Sequence, residues 1–566
     1  MKLTERISVV GDKAIAILRG DTASDRLWGF LLVLALTVAV RIQAAALSYP
    51  VQGDAGHFVE SAMLMAQGDP KGFSPHWSQL PIFVGAWALE NGFDPKRAMQ
   101  MITLLAGIAV PPLMLLLSHL LLRRWTTGFM TGVILATTPI AVEYSVNSLG
   151  EMPFMACSIA GLCMFLRAVE RRGWMGPWLL AGGALYGMGI YSRPFESAVA
   201  LGVALLFLVW RYGWSERILS WWHFILPPVA FVLLAMPLQL NSMRQESPVP
   251  LSGKLVNIAF GDFGYDSKAM KSLDADTGAE FGRRGQDLVE LGVVGFMWKY
   301  KESIARGWFV NMGRAARFLN DTLFPASLRI GMFWTVLFAA FALATGWKRG
   351  FLSAWCLPAG LILAMPMLLS LSFVHPRWMV PALPYAVLIL ADAVAANLPR
   401  DRRALLFAAV LVLCFAATQN VTAAKFRVAD ESWRYFNQEK LAARMWELGC
   451  SDEDVIMVPG PNIAINFYRK HVDRWTDLRY SKSVDVLEEY CRRKDVDVVV
   501  VGSSSYPHWP IQRLFDCGVP PANWVLLDRV RFATEDKRLG YREEQYLVYR
   551  RTDPEGAEDA TAGVTP

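Results

Sequence analysis

The chain has 566 residues, of which 54% are hydrophobic and 19% are charged, and its formal net charge is +6. A soluble chain carries about 25% charged residues, so this composition, with a mean hydropathy of +0.29, argues against a water-soluble multidomain protein. The positive charges fall in short blocks between long apolar stretches. They therefore report membrane topology and do not predict a nucleic-acid partner.

Eleven apolar stretches are long enough to cross the bilayer as helices, since about 20 residues span about 30 Å of hydrocarbon. Residues 1–26 precede them as an amphipathic cytoplasmic N-terminus without a convincing cleavable signal. The predicted spans are 27–48, 98–121, 125–143, 151–169, 175–192, 195–211, 218–239, 327–346, 351–372, 378–397 and 403–420. Residues 27–420 are thus predicted to form a polytopic α-helical transmembrane domain.

Basic residues concentrate in alternate connections between these spans, and such connections face the cytoplasm. This rule places the N-terminus inside. It places the connections 49–97 and 240–326, and everything after residue 420, on the extracytoplasmic side. Arg193 and Arg377 depart from the alternation, because each lies in an external connection that is otherwise almost free of positive charge.

The polar segments also contain structural patterns. Helices at the membrane surface are predicted near 56–67 and 80–91 and over the amphipathic stretch Val293–Phe318. Residues 421–552 predict a small extracytoplasmic α/β domain, and residues 553–566 a disordered tail. The domain has predicted strands at Asp454–Val458, Asp495–Val501, Trp524–Leu527 and Tyr546–Tyr549, and predicted helices at Asn462–Lys470 and Ser483–Arg493.

Three cysteines lie in the predicted external domain, Cys450, Cys491 and Cys517. Two of them can pair as a disulfide outside the cytoplasm, and the sequence leaves open which two. The spacing of the cysteines does not match a metal site.

The first external connection opens with Asp54, a few residues beyond the first span. A carboxylate at a water-exposed membrane face can accept a proton from an incoming hydroxyl, which is the task of a general base. The alternative, which composition alone favours, is that Asp54 caps the surface helix that follows it. Asp54 and His57 could contribute to a divalent-metal site, but two residues at this spacing are weak evidence. The sequence therefore indicates no cofactor and leaves dependence on a divalent metal open.

Acidic, aromatic and Gly-Asp positions follow one another in this connection as Asp54-Ala-Gly-His57-Phe58-Val-Glu60 and then Gly68-Asp69. This order resembles the motif with which the GT-C superfamily of membrane glycosyltransferases opens its first external loop. The resemblance is closest to the bacterial branch of protein O-mannosyltransferases and lipid A aminoarabinose transferases (ArnT-like). Ala55 replaces the second acidic residue of the motif. Gln79 replaces the lysine that helps the aminoarabinose enzymes hold the donor phosphate, which argues against that activity.

Two further stretches carry the resemblance. Glu151 begins the predicted fourth span, where the family places an acidic residue, and His375-Pro376-Arg377 resembles the arginine-led start of a late span. An outward-facing guanidinium such as that of Arg377 suits a lipid phosphate. Arg193, at the external end of the sixth span, could bind a lipid phosphate in the same way. The alternatives are a favourable position beside a helix dipole for Glu151 and contact with ordinary lipid headgroups for the two arginines.

The resemblance implies a glycosyltransferase of a bacterial inner membrane. Such an enzyme moves a hexosyl or pentosyl group from a polyprenyl-phosphate donor to an acceptor hydroxyl at the extracytoplasmic face, with inversion at the anomeric carbon. The acceptor is a protein, lipid or glycan, and membrane lipids are further partners. The implied residues are Asp54 and Glu151 for catalysis, Arg377 and Arg193 for donor-phosphate binding, and His57, Glu60 and His375 in support.

Two other functions stay open at this point. A transporter or flippase of a lipid-linked or small polar substrate would carry charges within its spans and an internal repeat. No inverted repeat is visible, and the singled-out ionisable residues lie at the external mouths of spans. A non-catalytic protein with a GT-C-like fold is the third hypothesis, which Ala55 and Gln79 favour.

Overall fold

The computed structural model describes residues 12–73, 78–171, 174–244, 284–323 with short gaps, 333–349, 352–369, 380–398, 403–468, 472, 474–478, 484–502, 523–534 and 542–552. It is mostly helical. The helices are α1 (Ala23–Leu47), α2 (Ala55–Ala66), α3 (Gln79–Glu90), α4 (Pro95–Leu122), α5 (Trp125–Thr137), α6 (Pro139–Val146), α7 (Glu151–Glu170), α8 (Met175–Gly189), α9 (Pro194–Leu208), α10 (Leu226–Arg244), α11 (Lys301–Leu323), α12 (Phe333–Arg349), α13 (Leu352–Leu369), α14 (Leu383–Asn397), α15 (Arg403–Glu447), α16 (Pro461–Phe467) and α17 (Val484–Arg493).

Each predicted span overlaps a helix. Within the described residues, six helical segments are long and apolar enough to cross a membrane, or seven if the bent pair α5 and α6 is one span. The multi-pass membrane class is thereby confirmed, and the number eleven stays a prediction. The two surface helices predicted in the first external connection are present as α2 and α3. The predicted amphipathic stretch Val293–Phe318 overlaps α11, and the tail 553–566 lies outside the described residues.

The third predicted span is broken between α5 and α6, whose axes differ by 61°. The carbonyl of Leu135 would normally accept the amide hydrogen of residue 139, and Pro139 has none. The guanidinium of Arg41 takes its place, donating to Leu135 O at 3.1 Å and also to Ala136 O. Arg41 is only 1% exposed, and a buried cation must be hydrogen-bonded in this way. One α1 side chain thus holds the bend.

A second buried tie joins α5, α13 and α14. Asp392 of α14 is fully buried. It accepts hydrogen bonds from Arg124 at 2.9 and 3.0 Å, from the Thr127 hydroxyl at 2.7 Å and from the Trp355 indole N–H at 3.0 Å. Four donor–acceptor contacts on one carboxylate offset the cost of removing its charge from water. The relative positions of the three helices are fixed as a result.

Polar groups gather at two opposite ends of the helical bundle. At one end Lys13 pairs with Asp25 at 2.5 Å, and Glu170 accepts from both Arg123 and Arg167. The N-terminal segment and the connections after α4 and α7 therefore meet there, as the alternation of basic connections predicts. Which end faces the cytoplasm stays a prediction.

The helix α15 runs from Arg403 to Glu447 without a break, past residue 420 where the last span was predicted to end. Leu441 and Met445, near its C-terminus, pack on the sheet that follows. The limits of the C-terminal domain at 421–552 stay a prediction. What the structure shows is that the membrane part and this domain share one continuous helix.

The C-terminal region contains a five-stranded sheet in the order β2-β1-β3-β5-β4. β1 is parallel to β2 and β3, and β5 is antiparallel to β3 and β4. One face packs against α15 and α16, and the other face packs against α17. The predicted small α/β fold is confirmed, although β2 was not predicted. The strands are β1 (Ile456–Val458), β2 (Trp475–Asp477), β3 (Val498–Gly502), β4 (Trp524–Thr534) and β5 (Arg542–Arg551).

Cys450 and Cys491 belong to the cores on opposite faces of this sheet, and both are free thiols. A disulfide between them is therefore excluded, and Cys517 lies outside the described residues. Burial raises the pKa of the Cys450 thiol to about 11 and that of Cys491 to about 12.

We expect Cys450 and Cys491 to resist N-ethylmaleimide at pH 8, because only about one thiol in a thousand is ionised at a pKa near 11 and both are buried. Mass-spectrometric mapping of the labelled peptides, compared between folded and denatured protein, measures this. Unfolding in denaturant should make both buried thiols reactive. Rapid labelling of the folded protein at either position would contradict the structure.

Asp392→Ala should destabilise the fold by about 3 kcal/mol or more, because it leaves the Arg124 charge and two further donors without their acceptor. The Tm of the purified protein is measured from the fraction that stays monodisperse in size-exclusion chromatography after heating. Glu447→Gln is the control, since Glu447 forms an exposed pair with Arg444 at 2.8 Å, and it should leave the Tm unchanged. Equal Tm values for Asp392→Ala and the wild type would disprove the tie.

Candidate active site

Asp54 immediately precedes α2 and is half-buried. Its backbone is already helical, with φ −61° and ψ −16°, and its side chain makes no capping hydrogen bond. An N-cap residue normally has an extended backbone and accepts an amide hydrogen. The capping interpretation of this carboxylate is therefore wrong. Gly53, with φ +55°, provides the left-handed turn that starts the helix at this point.

The turn before Asp54 is fixed against the connection between α6 and α7. The Ser148 hydroxyl donates to Pro50 O at 2.7 Å, and the Asn147 side-chain amide lies 3.4 Å from Gln52 Oε1. Both contacts are buried. The first external connection and the start of α7 therefore lie at the same end of the bundle.

The connection between α8 and α9 joins them. The Ser78 hydroxyl donates to Ser192 O at 2.6 Å, and the Leu80 amide donates to Tyr191 O at 2.8 Å. Gly150 lies between these segments, and an added Cβ there would stand 2.6 Å from Ser192 O and 2.4 Å from Ser78 Oγ. Three connections that are distant in sequence thus converge, and the close approach requires glycine at position 150.

Glu151 and Arg193 form a buried ion pair where the connections converge. Glu151 is the first residue of α7, where the helix dipole also favours a carboxylate. Arg193 directly precedes α9, and its Nη1 lies 3.7 Å from Glu196 Oε1 in the first turn of that helix. Glu151 is fully buried, Glu196 is 1% exposed and Arg193 is 8% exposed. The cluster therefore holds two carboxylates and one guanidinium away from water.

These positions refine what the sequence predicted. The side chain of Arg193 pairs with Glu151 and is therefore not directed to lipid headgroups. The sequence prediction did not include Glu196. Its position three residues after Arg193, in the first turn of the helix, could have indicated an ion pair between the two. Arg377 and His375 lie outside the described residues. Among the residues that are described, no group of three His, Cys, Asp or Glu side chains is arranged to hold a metal ion.

His57 and Glu60 lie on α2 and meet a residue of the C-terminal domain. His57 Nδ1 is 3.4 Å from Glu60 Oε2, and the indole N–H of Trp475 donates to Glu60 Oε1 at 2.9 Å. The rings of His57 and Trp475 stack with centroids 5.7 Å apart. The two supporting residues predicted from the sequence are thus brought together, with Trp475 as an unpredicted partner.

The C-terminal domain is also attached to the connection 49–97, by two buried and two part-buried hydrogen bonds. Ser432 Oγ accepts from the Tyr49 amide at 2.9 Å and from the Gln52 side chain at 3.0 Å. The Tyr49 hydroxyl and the Lys96 ammonium both donate to Asn466 Oδ1. Burial raises the pKa of Tyr49 above its ordinary value. The domain is therefore docked against the residues that precede Asp54.

Comparison with solved structures shows which folds this chain is similar to. The structure resembles that of ArnT from Cupriavidus metallidurans, in the apo state and bound to undecaprenyl phosphate, in both cases with a TM-score of 0.52 and 14% identity over 93% of this chain and 98% of the other. The chain therefore has a fold similar to that of ArnT. The apo oligosaccharyltransferase of Archaeoglobus fulgidus also matches, with a TM-score of 0.50 and 12% identity over 83% of this chain and 69% of the other.

The sequence comparison agrees with this likeness. Residues 84–239 match the family model described as dolichyl-phosphate-mannose-protein mannosyltransferase. No curated protein sequence matches the chain. The predicted resemblance to GT-C enzymes is thereby confirmed.

Arg193→Met should lower the free energy of unfolding by about 3–5 kcal/mol, because it leaves two buried carboxylates without their cation. The Tm of the purified protein measures the loss. Arg97→Met is the matched control: Arg97 lies at the same end of the bundle, is exposed and donates to Gln100 Oε1 at 2.8 Å.

The triple variant Arg193→Met, Glu151→Gln, Glu196→Gln removes all three charges and should recover part of the lost stability. A Tm for Arg193→Met equal to that of Arg97→Met would show that the cluster is not held by charge pairing.

Proposed function

We propose that this protein is a membrane glycosyltransferase. It transfers a sugar from a polyprenyl-phosphate donor to an acceptor hydroxyl at the extracytoplasmic membrane face. The supporting observation is the position of Asp54: a half-buried carboxylate without a capping role, at the same end of a GT-C-like bundle as the buried Glu151–Arg193 pair. The donor class is further supported by the structural likeness to ArnT bound to undecaprenyl phosphate.

The proposed reaction is a single displacement. Asp54 accepts the proton of the acceptor hydroxyl while its oxygen attacks the anomeric carbon of the donor sugar. The bond between that carbon and the phosphate oxygen breaks, and the electron pair leaves with the polyprenyl phosphate. Attack from the face opposite to the leaving group inverts the anomeric configuration. Because the lipid phosphate carries the leaving charge, the reaction needs a cation near it.

The two arginines proposed for that phosphate now have different roles. Among the described residues, Arg193 shares its charge with Glu151 and Glu196. A guanidinium that is already paired with carboxylates is less able to pair with a phosphate. We therefore assign the direct phosphate contact to Arg377, with support from His375, two residues earlier in the sequence. The contribution of Arg193 to phosphate binding is then indirect, through the position of Glu151.

The transporter hypothesis is not favoured by the described residues. Charges within the helices are present at Arg41 and Asp392, and a transporter would use such groups along a substrate path. However, Arg41 is bonded to the carbonyls of the bend between α5 and α6, and Asp392 is bonded to Arg124, Thr127 and Trp355. Both are structural ties. A non-catalytic role is separated from catalysis by the following experiment.

Asp54→Asn should lower the rate of sugar transfer by about 10²–10⁴, the range for loss of a general base. Donor-lipid binding and membrane insertion should be retained, because the substitution is isosteric. Mass spectrometry of envelope glycans and lipids from cells with and without the protein first identifies the product. Its formation by membranes of each variant is then measured.

Asp94→Asn is the matched control. Asp94 belongs to the same connection, and its carboxylate caps α4 by accepting from the Lys96 amide at 2.9 Å. This variant should transfer sugar at the wild-type rate. Sugar transfer at the wild-type rate by Asp54→Asn would disprove the role of Asp54 as the base. Envelope glycans and lipids that do not change when the protein is lost would favour the non-catalytic hypothesis.

A further inference from the structure

A cavity of about 630 Å³ opens beside the connection between α7 and α8, at the end of the bundle that contains Glu170. Asp54 and the start of α7 lie at the opposite end. The volume falls in the range of about 300–1,000 Å³ for small-ligand sites. The walls combine two guanidinium groups with aromatic and small apolar side chains. They are formed by Arg167, Arg171, Trp174, Pro177, Trp178 and Ala181.

Arg171 is the cation of this cavity that has no ion-pair or hydrogen-bond partner for its side chain within the described residues. The side chain is exposed. Arg167 lies one helical turn earlier, since the Arg171 amide donates to its carbonyl at 2.9 Å. The guanidinium of Arg167 is 2.6 Å from Glu170, and Glu170 also accepts from Arg123. Because that carboxylate is shared by two other cations, the charge of Arg171 stays available to an anion.

Trp174 and Trp178 lie on the apolar side of the cavity, at the start of α8. Trp174 is 68% exposed, and none of the described aromatic rings stacks on it. Trp178 packs partly against the core of the bundle. Pro177 and Ala181 continue the apolar surface along the first two turns of the helix. Tryptophan is enriched where membrane-spanning helices meet the lipid headgroups, and this position suits that level of the bilayer.

We propose that this cavity binds a phospholipid with an anionic headgroup. The headgroup phosphate lies against the guanidinium of Arg171, and an acyl chain follows the apolar side chains of α8 towards the middle of the bilayer. A guanidinium matches the arrangement of phosphate oxygens. Basic cavities beside the cytoplasmic ends of membrane-spanning helices bind lipid headgroups in this way. The predicted topology puts the connection between α7 and α8 on the cytoplasmic side. The inference does not depend on the proposed sugar transfer.

Other phosphate compounds match only part of the cavity. A soluble phosphate compound would pair with Arg171 but would leave the apolar surface of Trp174 and Pro177 in water, whereas an acyl chain covers it. A zwitterionic phospholipid would bring its own cation close to Arg167 and Arg171, and like charges repel. The combination of an available guanidinium with an exposed apolar surface therefore favours an anionic lipid.

The test is a lipid titration of the full-length protein in detergent, with the apparent dissociation constant of the first bound lipid measured by native mass spectrometry. One arm uses phosphatidylglycerol, and a second uses phosphatidylcholine with the same acyl chains. A third arm uses glycerol phosphate, which is soluble. The variants are Arg171→Gln, Arg171→Lys and Trp174→Ala, each first shown to be monodisperse by size-exclusion chromatography.

Arg26→Gln is the matched control. Arg26 is an exposed arginine on α1, next to the Asp25 that pairs with Lys13 at the same end of the bundle. It does not line the cavity. This variant should bind both lipids like the wild type.

We expect the wild type to bind phosphatidylglycerol about fivefold or more tightly than phosphatidylcholine, because an arginine at the membrane surface contributes about this factor for an anionic lipid. Arg171→Gln should remove most of this preference. Arg171→Lys keeps the charge and should stay within about twofold of the wild type. Trp174→Ala should weaken both lipids alike, by about threefold or more, because it removes apolar contact and no charge.

Equal affinities of the wild type for the two lipids would overturn the proposal. Wild-type affinity for phosphatidylglycerol in Arg171→Gln or in Trp174→Ala would also overturn it, as would an equal loss in Arg26→Gln. Glycerol phosphate that binds as tightly as phosphatidylglycerol would assign the cavity to a soluble ligand in place of a lipid. Sugar transfer is not part of the measurement, so a failure of this proposal and a failure of the proposed function are distinguished.

Discussion

The constraint on which the site depends is that a buried charge needs its partner from the protein, since water cannot supply one. The Arg193–Glu151 pair meets this constraint between the first residues of two helices, α7 and α9. Separating those helix starts would expose or isolate both charges, at a cost of several kcal/mol for each ion. The pair therefore fixes the distance between two connections that are more than forty residues apart in sequence. Asp54 lies at the end of the bundle that this pair keeps closed.

The same constraint operates deeper in the bundle. Arg41 replaces the amide hydrogen that Pro139 cannot donate, and the bend that results directs α6 towards the start of α7. Asp392 serves as a single acceptor for donors from two other helices. In a membrane protein the apolar surfaces of helices do not select one arrangement, because lipid solvates them equally well. Polar ties of this kind can select it.

Most helices were predictable because the bilayer imposes a long apolar run on each span. Short motifs and charges at the ends of spans are visible in the sequence, so the sequence could predict the site residues Asp54, His57, Glu60 and Glu151. Other features depend on contacts between distant segments. Trp475 acquires its role from α2, far away in the chain, and β2 is too short for a pattern. Whether an acidic residue before a helix caps it depends on its side-chain direction, so the sequence could not reject the capping role of Asp54.

The unbroken helix α15 has a mechanical consequence. Its 45 residues form a rod about 67 Å long, at a rise of about 1.5 Å per residue. One end belongs to the membrane-spanning bundle, and the other end is built into the sheet of the C-terminal domain. Turning such a rod by about 5° displaces its far end by about 6 Å. A change in the tilt of α15, which a change in bilayer thickness favours, would therefore load the contacts that Trp475 makes with α2.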